Sequence, residues 1–369
     1  MGNCCTSGDT KPKAGIFTAN DGNGSYSNGH AARSILLEDD EDWLNDEWHD
    51  ALEFHHDDPA DDAPAFEVTP EEILTLEKTL AEKFPEDSNY MSEAYLQSVA
   101  SKPYSKNPKV RRPLDYTLQK LIQVMEWRRD NKASEMPEWV RLCTLSPQEA
   151  ADQATSKEKL KTAQQMVNSL NNGSMYWHGH TKEGRPILWI RTDRKFWYPN
   201  VTAEVQALIV MADAGIQYGM PNGVTDFCVV SDSHSPPPPN PQFAFGMLQG
   251  LVKGYPDRMY LLVSAPVSSI VEFCMNLLLP LMPGRLPHKF CFYNLENVQE
   301  RLKTMLLHGE DDIPSFFGGP NKEHDEYYPK SDACPLRGAP KSSLKFDWYG
   351  MVERLKKQKQ QFEEEKSHF

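Results

Sequence analysis

Three observations predict an α/β fold with a largely parallel sheet. From Tyr176 onward, short β-prone runs alternate with amphipathic helical runs, the pattern that βαβ units produce. Before that point the chain reads as helices, two of them opened by Thr-Pro-Glu-Glu and Ser-Pro-Gln-Glu caps. Between Val267 and Met282 apolar residues cover well over half of a helical wheel, more than a surface helix needs.

The first helix is expected from Thr69, where Thr69 supplies an N-cap hydroxyl, Pro70 opens the first turn and Glu72 completes the cap before the apolar residues Ile73, Leu74, Leu76, Leu80 and Phe84 begin. A second helix is expected near Ser92 to Ala100. A third, over about Tyr116 to Asp130, places Leu118, Leu121, Ile122, Met125 and Trp127 inward. These form a small helical subdomain over 69–135. Ser146-Pro147-Gln148-Glu149 opens the helices that precede Asn172.

The sheet region follows. Tyr176-Trp177 and Ile187 to Ile190 read as strands around a turn at His180 to Gly184, followed by a helix at Val201 to Tyr218 and a strand at Asp226 to Ser231. A helix at Pro241 to Lys253, a strand at Met259 to Ser264, the strongly apolar segment, a strand at Lys289 to Tyr293 and a helix over about Leu295 to Leu307 complete the alternation. Residues 136–326 thus form the main domain. The polar stretch 327–369 is expected to be a tail ending in an exposed helix.

Charge is unevenly placed. The net charge is −14, yet 17 acidic residues and no Lys or Arg lie between Ser34 and Glu77. Without that stretch the charge is about +3, which gives no nucleic-acid footprint. Residues 1–68 are rich in Gly, Ser and Asn and have little to bury, so they are expected to be disordered. Within them Trp43, Leu44, Trp48, Leu52 and Phe54 alternate with carboxylates, which makes 38–58 either a solvated linker or a docking segment for a protein partner. Met1-Gly2 with Thr6 fits the myristoylation pattern, and Cys4 and Cys5 are placed for palmitoylation. One myristoyl chain gives a binding constant of only ~10⁴ M⁻¹, so the thiols would supply the second chain of a stable anchor on the cytoplasmic face of a membrane. The seven cysteines contain no CxxC pair and no apolar signal peptide opens the chain, which suits a reducing compartment.

No G-x-S-x-G, Walker loop, H-E-x-x-H or nucleotide fingerprint is present, so no catalytic residue or cofactor is expected. His178-Gly179-His180 reads as a strand-to-turn junction rather than a metal site. The segment from Tyr260 to Met282 is just long enough to cross a ~30 Å hydrocarbon core, but Pro266, Glu272, Asn276 and Pro280 all oppose that. A plain core helix and a wall closing over an oily ligand remain. At ~0.8 kcal/mol per CH₂, a bilayer holds a 16-carbon chain by on the order of 12 kcal/mol, and a soluble carrier must offer a comparably dry space.

In order along the chain stand Glu126-Trp127-Arg128, GRPILWI at Gly184 to Ile190, the strand ending in Asp232, YPDRM at Tyr255 to Met259, SAP at Ser264 to Pro266, the apolar segment, and IPSFFGG at Ile313 to Gly319. Together they resemble the CRAL-TRIO lipid-binding family, which includes phosphatidylinositol/phosphatidylcholine transfer proteins and the α-tocopherol transfer protein. The resemblance runs from about Pro70 to Gly319. It implies an α/β/α sandwich with a mostly parallel sheet and a gate helix, preceded by a small N-terminal helical bundle, and one phospholipid or other hydrophobic molecule held between sheet and gate. Carried onto this chain, the lipid-binding positions are Ile209, Ala212 and Ile216 on one helix and Phe227, Val229, Leu261 and Val263 on two strands. On the gate they are Ile270, Phe273, Leu277 and Leu281. The family's phosphatidylinositol-transferring members carry a Lys between the motifs matched here by YPDRM and SAP, with an acidic partner that falls near Thr225; neither charge is matched in this chain. The resemblance implies a non-enzymatic carrier. The alternative is a membrane-tethered adaptor or small-GTPase regulator that uses the same fold as an interaction module in signalling.

Overall fold

The structure is a computed structural model and describes residues 66–104, 107–145, 156–238, 240–268, 286–324 and 346–367, with Phe273, Met275 and Leu279 between them. All of these belong to one compact unit. The acylation positions Gly2, Cys4 and Cys5, the acidic segment 38–58, and the gate positions Ile270, Leu277 and Leu281 lie outside the described residues.

Helix α1, Pro70–Lys83, opens with the expected capping box: Thr69 Oγ1 accepts from the Glu72 N–H, and Glu72 Oε2 accepts from the Thr69 N–H. Helix α2 is Glu93–Ala100, capped by Ser92. A short antiparallel pair, β1 (Pro103–Tyr104) and β2 (Asn107–Arg111), leads to helix α3, Leu114–Asp130. Helices α4, Met136–Cys143, and α5, Lys157–Leu170, follow.

The main sheet has the order β3-β4-β5-β6-β7. Strands β3 (Met175–His180) and β4 (Pro186–Arg191) form an antiparallel hairpin; β5 (Phe227–Asp232), β6 (Met259–Ala265) and β7 (Phe290–Phe292) add in parallel. Because β4, β5 and β6 step across the sheet in one direction, right-handed crossovers put the connections between them on one face. Those connections include α6, Val201–Ala214, and α7, Pro241–Gln249, each running into a π-helical turn, Gly215–Gly219 and Gly250–Gly254. Helix α8, Leu295–Met305, follows the last strand and covers the opposite face, where Val298, Leu302 and Phe317 pack on Ile187, Trp189 and Val230. The result is the α/β/α layering and mostly parallel sheet that the resemblance implied.

The helical subdomain is joined to the sheet domain through buried charge rather than apolar contact alone. Arg128, at the end of α3, is 2% exposed and gives both terminal nitrogens to Asp213 of α6 at 3.0 Å, while its Nε reaches Asp87 at 2.5 Å. Tyr90 lies under the guanidinium, 3.7 Å from ring centre to Cζ. The YPDRM motif serves this junction: Tyr255 OH donates to Asp213 at 2.7 Å, and Arg258 donates to the Tyr90 carbonyl at 2.7 Å and covers the Tyr95 ring. A Cβ on Gly254 would stand 2.2 Å from the Trp127 ring, so the close approach of the two parts needs glycine there.

The C-terminal expectation is corrected. Residues Trp348–Ser367 form helix α9, and it is docked rather than exposed. Trp348, Met351, Val352, Leu355 and Phe362 are buried, at helical spacings that a strongly polar composition hides. Two histidines of β3 seat it: Gln358 lies 3.3 Å from His178 Nδ1, and His180 stacks on Phe362 while bonding the Gly219 carbonyl. Among the described residues no group of three potential metal ligands forms.

His324 packs 4.2 Å from His178, centre to centre, and contacts the Tyr176 hydroxyl at 3.1 Å. Burial pushes His178 down to about 4, and burial followed by the neighbouring His178 and Arg191 pushes His324 down to about 2. An unfolded histidine titrates near 6.5. Above that pH both states are neutral and the stability is whole; as pH falls below it, the unfolded chain takes protons that the folded chain refuses, and stability is lost. His308 opposes this, its partial burial being outweighed by Asp312 and Glu365. Denaturant titration should therefore show the wild type losing about 2 kcal/mol more than His324→Phe between pH 6.5 and pH 5. Equal losses in the two proteins would contradict a neutral buried His324.

Candidate functional site: an apolar cavity against the sheet

On the α6–α7 side of the sheet the layers do not close completely. A space of about 540 Å³, open solvent included, lies between the strands and the two helices. Its floor is Leu188 and Ile190 of β4, Phe227 and Val229 of β5, and Met259 and Leu262 of β6. Helix α6 contributes Val205, Leu208, Ile209 and Ala212. Gly246 and Met247 of α7, with Gly250, Leu251 and Tyr255 beyond it, form the far wall.

Among the described residues no charged side chain lines this space. Its one side-chain polar group, the Tyr255 hydroxyl, is turned to Asp213 Oδ1 and the Ile209 carbonyl, at 2.7 and 3.2 Å. The space persists because two glycines face it. A Cβ on Gly250 would meet no atom within 4 Å, whereas one on Gly246 would press on Val205 at 2.8 Å. What such a lining can do is exclude water and bury hydrocarbon; it offers no nucleophile or base. Cys228, between Phe227 and Val229 on β5, faces the other core, and burial pushes its thiol well up, away from reactivity.

Of the expected positions, the structure brings together Ile209, Ala212, Phe227 and Val229. Leu261 and Val263 differ: both lie on the opposite face, in the core under α8. The cause is a bulge. Phe227 pairs with Met259, but the next residue, Cys228, pairs with Leu261, so Tyr260 is extra and the alternation of β6 slips by one. Met259 and Leu262 therefore take the places given to Leu261 and Val263. Ile216 is half-buried in the π turn and outside the lining. Phe273 is 63% exposed and does not line the cavity. The glycines and Tyr255 were not expected; the one signal for them was the Gly246, Gly250 and Gly254 spacing on an otherwise apolar helix.

An α/β sheet with an apolar space under two crossover helices suits a hydrophobic ligand. Residues 170–319 match the family model described as CRAL/TRIO domain, a domain that implies binding and transfer of lipids or other small hydrophobic ligands. Among solved structures, the one titled "Crystal structure of Sfh5" matches with a TM-score of 0.38 and 13% identity, over 57% of this chain and 69% of that chain. No curated protein matches the chain significantly. No helix among the described residues is long and apolar enough to cross a membrane.

Proposed function

We propose that the chain carries one lipid molecule in the cavity between β4–β6 and α6–α7, and that residues 267–282 act as the gate through which it enters and leaves. The observation that carries this reading is the lining itself: among the described residues no lining side chain is charged, and the one hydroxyl, of Tyr255, is already bonded to Asp213. A water-filled cavity of that composition would be costly, while hydrocarbon gains roughly 25 cal/mol per Å² of apolar surface it removes from water. The high apolar content of 267–282 and the exposed Phe273 at its middle suit a wall that closes over such a ligand. Myristoylation of Gly2 with palmitoylation of Cys4 or Cys5 would hold the carrier at the cytoplasmic face of a membrane.

The test has two arms. In eukaryotic cells Gly2→Ala should move the protein from the membrane to the soluble fraction; persistence at the membrane rules out the acyl anchor. The unacylated protein, mixed with donor vesicles containing a pyrene-labelled lipid and unlabelled acceptors, should raise the transfer rate in proportion to its concentration. No acceleration with phospholipid, sterol or diacylglycerol probes would refute the carrier.

A further inference from the structure

The floor of the cavity changes character toward the C-terminal ends of its strands. Across the sheet, Leu188 pairs with Val229 and Val229 with Leu262, an entirely apolar row. One step further on the same face, Ile190 pairs with Ser231 and Ser231 with Ser264. Ile190 lines the cavity, so the hydroxyls begin where its lining ends. Ser233 follows on the same side of the chain, its Oγ 3.3 Å from Ser231 Oγ and 2.6 Å from Ser264 Oγ. All three are buried, at 9%, 3% and 5% exposure.

Three hydroxyls joined in a row by two hydrogen bonds use two of their three protons. Among the described residues no acceptor takes the third. One O–H is therefore left to give, beside an apolar cavity, where an unmet polar group carries a penalty of about 1–3 kcal/mol. Three cations at this end of the sheet are engaged with carboxylates. Arg191 bonds Asp232 at 2.6 Å on the opposite face, His234 bonds the same carboxylate at 2.6 Å, and Lys195 bonds Glu204 at 2.7 Å. Among the described residues these three cations are matched by carboxylates, and a neutral oxygen is an acceptor that the hydroxyl row can satisfy.

We propose that Ser231, Ser233 and Ser264 form the polar end of the cavity and donate a hydrogen bond to a single uncharged oxygen of the bound lipid, the carbonyl of an ester or ketone or a hydroxyl. The ligand lies with its hydrocarbon along Leu188, Val229 and Leu262 and its oxygen at the strand ends. This rests on the lipid-carrier reading above and narrows it to neutral lipids.

A matched pair of probes separates the two claims. Methyl 12-(pyren-1-yl)dodecanoate and 1-dodecylpyrene share fluorophore and chain, and only the first has an acceptor oxygen. Fluorescence titration of the full chain should show the ester bound about tenfold more tightly, the size of one well-made buried hydrogen bond. The Ser231→Ala/Ser233→Ala/Ser264→Ala variant should lose that preference while keeping its affinity for the hydrocarbon. The single variant Ser264→Ala, which removes an end of the row, should reduce the preference and provides a second reading if the triple variant folds poorly. Equal binding of the two probes by the wild type, or a preference that survives in both variants, overturns the serine assignment and leaves the carrier intact. Binding of neither probe overturns the carrier itself.

Discussion

Arg128→Met should cost about 3–5 kcal/mol of stability, read as a fall in the denaturant midpoint. The substitution keeps the length of an aliphatic stem but removes the partner of two carboxylates at once. Asp213 is 8% exposed and receives both guanidinium terminal nitrogens; Asp87 receives the Nε. Without the cation both carboxylates lose the guanidinium they bond, and burial already pushes Asp87 upward against the pull of Arg128. Arg128→Lys should recover only part of the loss, since one ammonium cannot reproduce the fork that meets both residues. The effect should spread beyond the helical subdomain, because Asp213 also receives the hydroxyl of Tyr255, a cavity residue. A midpoint shift below about 1 kcal/mol would show that the junction is held by its aromatic contacts alone.

Gly250→Phe should have the opposite signature, a protein that is as stable or more stable when empty but holds no ligand. Gly250 has helical dihedrals, φ −58 and ψ −49, so a side chain there meets no backbone strain, and its Cβ would enter open space. A bulky ring then occupies the volume that the lipid would take. Replacing glycine within a helical turn adds about 0.5–1 kcal/mol by itself. Gly250→Ala separates the two contributions: it should raise stability by a similar amount while leaving room for ligand. A loss of stability in both variants, with binding unchanged, would mean that the space is not the ligand site.

Much of the fold was legible because local signals agreed. The Thr69 capping box, the turn at Gly184 and the alternation of strands with helices after Tyr176 each point to the element that forms. The cavity was legible only in part. Strands β5 and β6 read FCVVSD and MYLLVSA, buried on both faces, so hydropathy does not say which residues face which layer. On β5 alternation from Phe227 was enough; on β6 the extra residue Tyr260 moved Leu261 and Val263 to the far core, and a bulge of that kind leaves no mark in an unbroken apolar run. Helix α9 was misjudged for the reverse reason. Its Lys, Gln and Glu residues dominate the composition, while the narrow stripe of Met351, Leu355 and Phe362 decides its placement. Ser231 and Ser264 were not read as site residues along the chain, since they are neighbours only through strand pairing.

The central claim is that the space above Leu188, Val229 and Leu262 is filled by one hydrophobic molecule. Native mass spectrometry of the full chain, purified without detergent and followed by identification of whatever is released, addresses it directly. The wild type should carry a single lipid per chain, lacking a charged headgroup, and Gly250→Phe purified in parallel should carry none. A wild-type protein that is empty from several expression hosts and stays empty after incubation with vesicles, or a lipid retained equally by Gly250→Phe, would contradict it.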